Sequence, residues 1–135
     1  MQLDDFLVRH VLTGVDFGVE KSTEEYYQDA NTMAFEMDGK VYLVREDPDD
    51  GYRSSMKDIE EVDIKVINQF PPCKVKGRRR KNSEYGEKND VIDFYDVVTG
   101  LVVLAIGTEN IDDYYPSYVA YFDPRNMKIN IPDNG

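Results

Sequence analysis

The chain of 135 residues contains one cysteine, one histidine and no tryptophan. A single cysteine, Cys73, excludes an intramolecular disulfide and with it the disulfide-stabilised secreted scaffolds. His10 and Cys73 are too few for a structural zinc site, which usually has four nitrogen or sulfur ligands. No stretch approaches the roughly 20 apolar residues of a membrane-spanning helix, and Asp4 and Asp5 carry the wrong charge for a signal peptide. We therefore predict a cytoplasmic protein that does not interact with membranes.

Sequence motifs of common enzymes are also missing. The chain has no G-x-G-x-x-G, no G-x-x-x-x-G-K-[ST] and no G-x-S-x-G. His10 lies in an apolar stretch, where a lone histidine is more often structural than catalytic, and no base can be assigned to Cys73. We expect no catalytic residue, no metal ligand and no cofactor, and these absences favour a non-enzymatic protein.

The most hydrophobic run, DVIDFYDVVTGLVVLAIGT at residues 90–108, predicts a central hairpin. It is rich in branched and aromatic residues, which suit a pleated and half-buried surface. Gly100 supplies the positive φ of a tight turn, so residues 91–98 and 101–106 should pair antiparallel. The second arm is apolar on both faces, which indicates a strand that is covered on both sides.

A second hairpin is predicted around Asp38-Gly39, a strong signal for a type I′ turn between residues 32–37 and 40–45. Other patterns predict a strand at 117–122, a helical turn at 56–62, and a strand at 62–70 that stops at Pro71-Pro72. Residues 3–11 fit either a helix or a strand, and Gly14 and Gly18 should end the elements near them. The prediction is a single domain, 1–135, that is mainly β: an antiparallel sheet of six to eight strands, sandwich-like or a partly closed barrel, with one or two short helices. An α+β fold is the alternative.

Charge is distributed unevenly along the chain. There are 27 acidic and 16 basic residues, and the net charge is −11. Residues 74–89 are predicted to form a mobile basic loop that includes Arg78, Arg79, Arg80 and Lys81, and a solvated loop is favoured over a phosphate-binding site. The acidic remainder should repel nucleic acid and attract basic protein surfaces. Solubility alone is the alternative explanation of the acidity.

Tyrosines stand beside carboxylates in three segments. Tyr26-Tyr27 follows Glu24-Glu25. The other two segments provide the predicted partner-binding residues Asp49, Asp50, Tyr52, Asp112, Asp113, Tyr114 and Tyr115. Aromatic anchors within a negative field suit a basic protein partner, whereas the alternative places these rings at the edges of the core. Asp47, Asp49 and Asp50 are similar to part of a calcium loop, but Gly51 occupies a ligand position of that loop.

The stretches FEMDGKVYLVREDPDDGYRSS and DVVTGLVVLAIGTENIDDYYP resemble a type of small uncharacterised protein of tailed phages and their hosts. The resemblance covers residues 35–122 and identifies no site residue. Small acidic phage proteins include inhibitors of host defence and of nucleic-acid enzymes, and some of them mimic DNA. The resemblance therefore implies a phage-encoded inhibitor of a host nucleic-acid-binding factor.

These observations lead to one functional hypothesis with two alternatives. The favoured function is a non-enzymatic acidic protein that binds a basic protein surface. The first alternative is a small hydrolase or ligand-binding domain that uses carboxylates such as Asp47, Asp49 and Asp50. Such a site either binds a divalent cation or works without one. The second is a structural subunit of a larger particle. The oligomeric state does not follow from the sequence.

Overall fold

The structure, a computed structural model, describes residues 2–22, 29–47, 56–62, 69–82, 88–109 and 117–126. These residues form eight β-strands and two 3-10 turns, Leu3–Phe6 and Pro124–Asn126, without an α-helix. In this part of the chain no helix is long and apolar enough to cross a membrane. The strands are β1 Arg9–Glu20, β2 Ala30–Met37, β3 Lys40–Glu46, β4 Met56–Glu61, β5 Gln69–Arg79, β6 Asp90–Asp96, β7 Val102–Glu109 and β8 Ser117–Phe122.

All eight strands belong to one antiparallel sheet in the order β4-β3-β2-β1-β5-β6-β7-β8. Two four-stranded meanders, β1–β4 and β5–β8, are joined by pairing between β1 and β5. The sheet is not closed, since β4 and β8 are its edges. The two halves nevertheless share one core: the rings of Phe35 in β2 and Phe94 in β6 are 6.3 Å apart. The predicted antiparallel, mainly β fold is confirmed.

Both predicted hairpins are present. Asp38 and Gly39 have φ values of 55° and 80°, the positive pair that a type I′ turn requires. They connect β2 to β3 with Met37 opposite Lys40. Strands β6 and β7 pair antiparallel, from Asp90 opposite Thr108 to Tyr95 opposite Val102. Residues 103–108 of β7 are all buried, which confirms a strand that is covered on both faces.

Residues 3–11 were predicted to form either a helix or a strand, and the structure contains a helical turn followed by a strand. Leu3–Phe6 is a single 3-10 turn, and β1 begins at Arg9. The prediction that Gly14 and Gly18 end elements is wrong, because β1 continues through both to Glu20. Strand β2 pairs along this whole stretch, with Gly14 opposite Glu36 and Gly18 opposite Thr32. A neighbouring strand therefore compensates for the weak β propensity of glycine.

Three further predictions are wrong. Residues 56–62 form strand β4 and its end, not a helical turn. Strand β5 passes through Pro71-Pro72 and reaches Arg79, so residues 74–79 are not a loop. The partners of Leu12 and Gly14 in β5 are Cys73 and Gln69, and three residues lie between these partners. Both prolines are among the three, where no ladder hydrogen bond depends on their missing N–H groups. Residues 63–68 of the predicted strand at 62–70 are outside the described residues.

Phe6 attaches the 3-10 turn to the core. Its ring lies 5.8 Å from Phe35, 5.1 Å from Tyr42 and 5.8 Å from Phe94 between centroids, in edge-on arrangements that aromatic rings favour. The turn approaches β5 at Gly77, where an added Cβ would lie 1.9 Å from the carbonyl oxygen of Phe6. Gly77 thus provides the space that brings the N-terminal turn onto the sheet.

Candidate functional site

Arg78 and Arg79, the last two residues of β5, contact other parts of the same sheet. The Arg78 guanidinium lies 5.0 Å from the centre of the Tyr95 ring, a cation–π arrangement. Arg79 donates to Asp4 at 2.6 Å and also contacts Asp90. The hydrogen bond from Arg79 lowers the pKa of Asp4 below its ordinary value. Both arginines are therefore parts of the fold and are not members of a solvated basic loop.

Arg80 covers a buried carboxylate on the outer face of β6 and β7. Its Nε and Nη2 donate to the two oxygens of Asp93 at 3.1 and 2.7 Å, and its Nη1 contacts Glu109. Asp93 is only 7% exposed, and a two-point guanidinium contact suits such a buried acid. The hydrogen bond that Arg80 donates to Asp93 raises the pKa of Arg80. Of the four predicted basic-loop residues, Arg80 is half-buried, and Arg78, Arg79 and Lys81 are exposed.

His10 binds the carboxylate of the β2–β3 turn. Its Nδ1 lies 2.5 Å from one oxygen of Asp38, while the other oxygen accepts the N–H of Val11 at 2.8 Å. The second ring nitrogen, Nε2, is buried and has no hydrogen-bond partner among the described residues. A general base must reach the proton that it removes, so this buried nitrogen is poorly suited to catalysis. The contacts of His10 instead connect the turn to β1.

Cys73 and Asp96 form a buried polar contact beside the β6–β7 turn. Both are fully buried, and the Cys73 thiol donates to Asp96 at 3.5 Å. Asp96 also accepts the N–H groups of Val98 and Thr99 at 2.7 and 3.3 Å, as an Asp that forms an Asx turn does. This role explains why an acid interrupts the apolar face of β6. A thiol enclosed in this way is far from the exposed, electropositive setting of reactive cysteines.

Ends of five strands meet at one place, which we call the strand-end junction: Asn31 of β2, Glu46 of β3, Met56 of β4, Thr108 of β7 and Tyr118 of β8. Glu46 accepts two hydrogen bonds from Asn31, each of 3.2 Å, and pairs with Met56. The backbone N–H of Met56 donates to the Thr108 hydroxyl at 3.2 Å, and Thr108 pairs with Tyr118. The junction therefore connects the two ends of the open sheet through side chains.

The junction encloses a carboxylate and a phenol. Glu46 is 5% exposed, and the Tyr118 hydroxyl is buried without a hydrogen-bond partner among the described residues. Burial raises the pKa of Tyr118 well above its ordinary value, and the charge of Glu46 contributes to the same shift. A negative charge and an unpaired polar oxygen thus lie near each other in a site of low polarity, as occurs at binding sites.

A groove of about 400 Å³ lies between β8 and the arm formed by β1 and β2. We call it the β8 groove, and its lining residues are Phe17, Gly18, Val19, Asn31, Thr32, Tyr118 and Ala120. Two of its apolar side chains are unusually open to solvent, Phe17 at 51% and Val19 at 55%. Asn31 and Tyr118 belong to both the groove and the junction. The groove is therefore a concave, mainly apolar surface, and its lining residue Asn31 donates to the buried Glu46.

The predicted partner-binding residues lie outside the described residues: Asp49, Asp50 and Tyr52 in residues 48–55, and Asp112, Asp113, Tyr114 and Tyr115 in residues 110–116. The third tyrosine segment is in residues 23–28, which are also outside. The three segments connect β1 to β2, β3 to β4, and β7 to β8. Five of the six strand ends that border them contribute a residue to the junction, and the end of β1 does not. The fold brings the described borders of these segments together.

Acidic and basic residues are divided unequally between the described residues and the rest of the chain. The described residues contain 17 acids and 13 bases. The remaining 42 residues contain ten acids and three bases. Most of the net charge of −11 therefore belongs to the segments that connect or follow the strands, and the sheet itself is closer to neutral.

Metal ligands do not cluster in the part of the chain that the structure describes. Within residues 2–22, 29–47, 56–62, 69–82, 88–109 and 117–126, no group of three or more His, Cys, Asp or Glu side chains is arranged to hold a metal ion. Asp47 is half-buried, and Asp49 and Asp50 lie outside these ranges. The carboxylate-based alternative thus has no support from a described cluster.

Comparison with known proteins adds no relative: no protein-family model, no curated protein and no solved structure matches the chain. The site is therefore defined by its own geometry. Neither Glu46 nor Tyr118 was predicted to be a site residue. Glu46 continues the buried alternation of Tyr42 and Val44 along β3, so an acid in the buried register of a predicted strand was the available signal.

Proposed function

We propose that this protein is a non-enzymatic binding protein that engages a basic protein surface through its acidic, tyrosine-bearing segments. One observation carries the proposal: five of the six strand ends that border the three segments meet at the strand-end junction. Segments that are separated by tens of residues in the chain can then contribute to one surface. In the proposed surface, Tyr52, Tyr114 and Tyr115 are anchors, and the neighbouring aspartates supply the field.

The charge distribution supports this function. Arg79 and Arg80 are bound to Asp4, Asp90, Asp93 and Glu109, so these two arginines do not offset the charge of the connecting segments at long range. A surface with one dominant sign of charge accelerates association with an oppositely charged partner. Salt weakens such attraction, because the screening length is only about 8 Å at physiological ionic strength.

The partner that we propose is a nucleic-acid-binding protein, because such proteins present clustered lysine and arginine side chains to phosphates. A row of carboxylates can occupy the same basic surface and compete with nucleic acid for it. An inhibitor of a host factor, as the resemblance to small phage proteins implies, is one form of this function.

Affinity capture from a bacterial lysate, at low and at high salt, followed by mass spectrometry, tests the proposal. We expect a basic nucleic-acid-binding protein that is retained at low salt and released at high salt. The affinity of the purified pair is then measured with a variant that carries Asp112→Asn and Asp113→Asn, and with a second that carries Tyr114→Ala and Tyr115→Ala. Each variant should weaken binding about tenfold or more, a free-energy change of about 1.4 kcal/mol.

The matched control removes two other exposed acids, Asp5 and Glu61, by Asp5→Asn and Glu61→Gln. It removes two negative charges, as the Asp112→Asn and Asp113→Asn pair does. Binding to the partner should change about twofold or less, because distant charges are screened. Equal losses in both charge variants would show that total charge and not a specific surface determines binding. Unchanged binding in the variants of residues 112–115 would refute the proposal.

A further inference from the structure

Basic side chains from two strands share the outer face of the sheet where β1, β5 and β6 pair. Along β5 the buried residues alternate with Lys74, Lys76 and Arg78, so these three side chains point away from the core. Arg9 of β1 is directly opposite Lys76, and residues opposite each other have their side chains on the same face. We call Arg9, Lys74, Lys76 and Arg78 the basic face.

The cations of the basic face have no carboxylate within ion-pair distance in the part of the chain that the structure describes. The ion pairs found there use other lysines and arginines: Lys21, Lys40, Arg45, Arg79, Arg80 and Arg125. One acid, Asp93, is opposite Arg78, but it is 7% exposed and accepts two hydrogen bonds from Arg80. The basic face is therefore locally positive on a chain whose net charge is negative.

Tyr95 gives the basic face an aromatic group. It is opposite Lys76 in the pairing of β5 with β6, so Arg9, Lys76 and Tyr95 form one row across three strands. The Arg78 guanidinium lies 5.0 Å from the centre of the Tyr95 ring. A guanidinium held against a ring is restricted in position, and its planar surface is suited to stacking on a further planar group.

We propose that the basic face binds single-stranded nucleic acid, with phosphates at Arg9, Lys74 and Lys76 and a base stacked on Arg78. Successive side chains on one face of a strand are about 6.7 Å apart, which suits the phosphates of an extended single strand. The bases of such a strand are free to stack on arginine planes, whereas an acidic peptide has no planar group of this kind in its carboxylates. The inference goes beyond the proposed function, because the residues and the kind of partner are different.

Fluorescence anisotropy of a labelled oligothymidine of about 15 nucleotides, titrated with the full chain, tests the basic face. We expect saturable binding with a Kd on the order of 10 µM at low salt. The logarithm of the association constant should fall against the logarithm of salt concentration with a slope of about −2, since each of the phosphate contacts contributes about −0.7. Absence of saturation, or binding that does not depend on salt, would overturn the inference.

Polyglutamate of similar charge distinguishes nucleic acid from an acidic protein. It should displace the oligothymidine about tenfold less effectively than unlabelled oligothymidine does, because it offers charge without bases. Equal displacement would assign the basic face to acidic proteins and overturn the inference.

Matched charge variants locate the binding site. Lys74→Gln with Lys76→Gln should weaken oligothymidine binding about tenfold and reduce the salt slope by about 1.4, because two phosphate contacts are lost. Lys21→Gln with Lys40→Gln removes two exposed cations that are already in ion pairs, and binding should change about twofold or less. Equal losses in the two double variants would overturn the inference, because total charge would then explain them.

Arg78→Lys tests the stacked base separately from the charge. Lysine keeps the positive charge but lacks the planar group, so the affinity for oligothymidine should fall about fivefold while the salt slope stays unchanged. Thermal unfolding of the variant shows whether it retains the fold. A folded Arg78→Lys variant that binds as tightly as the parent would overturn the assignment of a base to Arg78.

Capture of the protein partner separates this inference from the proposed function. Nuclease treatment of the lysate prevents nucleic acid from bridging the two proteins. If the parent chain captures its partner but does not bind oligothymidine, the basic-face inference fails and the proposed function stands. If it binds oligothymidine through Lys74 and Lys76 but captures no partner, the inference stands and the proposed function fails.

Discussion

Replacing Tyr118 by phenylalanine should stabilise the free protein, which is unusual for a substitution in a partly buried site. The Tyr118 hydroxyl is buried and has no hydrogen-bond partner among the described residues. A buried polar group without a partner costs about 1–3 kcal/mol, because it loses water and gains nothing in return. Tyr118→Phe removes that group and preserves the ring. We expect the free energy of unfolding to rise by about 1 kcal/mol, at the lower limit of this range.

The same substitution three residues further along β8 should have the opposite effect. The Tyr121 hydroxyl donates to Asp123 at 2.8 Å, and this bond also raises the pKa of Tyr121. Tyr121→Phe removes a hydrogen bond to a charged group, so it should destabilise the protein. The two variants share the chemical change and the strand, and they differ in whether the hydroxyl has a partner.

Urea denaturation and thermal unfolding of the two variants measure this difference. For a chain of this length, a gain of about 1 kcal/mol corresponds to a rise in Tm of roughly 3–4 °C. Tm should rise in Tyr118→Phe and fall in Tyr121→Phe. Destabilisation of Tyr118→Phe to the same extent as Tyr121→Phe would show that the Tyr118 hydroxyl is hydrogen-bonded in the folded protein, and would refute the prediction.

Two further predictions concern the core and the C-terminal end of β8. Phe6→Ala should lower the free energy of unfolding by about 3–5 kcal/mol, because the ring is 1% exposed. Leu101→Ala, at an exposed turn, is the control. Similar losses of stability for the two variants in urea denaturation would contradict the central position of Phe6. The hydrogen bonds from Arg125 and Tyr121 lower the pKa of Asp123 from 3.8 to about 2. An acid whose folded pKa is lowered stabilises the fold above its unfolded pKa and ceases to do so as the pH falls through the folded value. The difference in urea midpoint between the parent and Asp123→Asn should therefore be constant near neutral pH and shrink between about pH 4 and about pH 2. A difference that persists at about pH 2 would refute a stabilising role of the ionised Asp123.

The hairpins were predictable because their signals are local. A type I′ turn needs two residues that tolerate positive φ, and Asp38-Gly39 are adjacent in the chain. The alternation of apolar residues on either side is equally local, since it depends only on the period of two in a strand. Strands β2, β3, β6, β7 and β8 were therefore predictable without knowledge of their neighbours.

The predicted strand boundaries were wrong where pairing with a neighbouring strand determines whether a strand continues. Glycine and proline weaken an isolated strand, so Gly14, Gly18 and Pro71-Pro72 were expected to end elements. In the sheet, β2 pairs beside both glycines, and the prolines lie in an irregular part of the pairing between β1 and β5. Whether a poor strand former interrupts a strand depends on partners that are distant in sequence.

The sequence by itself determined a mainly β domain, its two best hairpins and the acidic excess, because composition and local alternation are properties of the chain. Which charged side chains pair with one another was decided by the tertiary structure alone. Arg79 meets Asp4 from 75 residues away, so a run of basic residues becomes part of the fold and is not an independent surface. The backbone of Met56 reaches Thr108 across 52 residues, and that contact creates the strand-end junction. Such contacts depend on how the sheet curves, and local patterns contain no information about pairs so far apart.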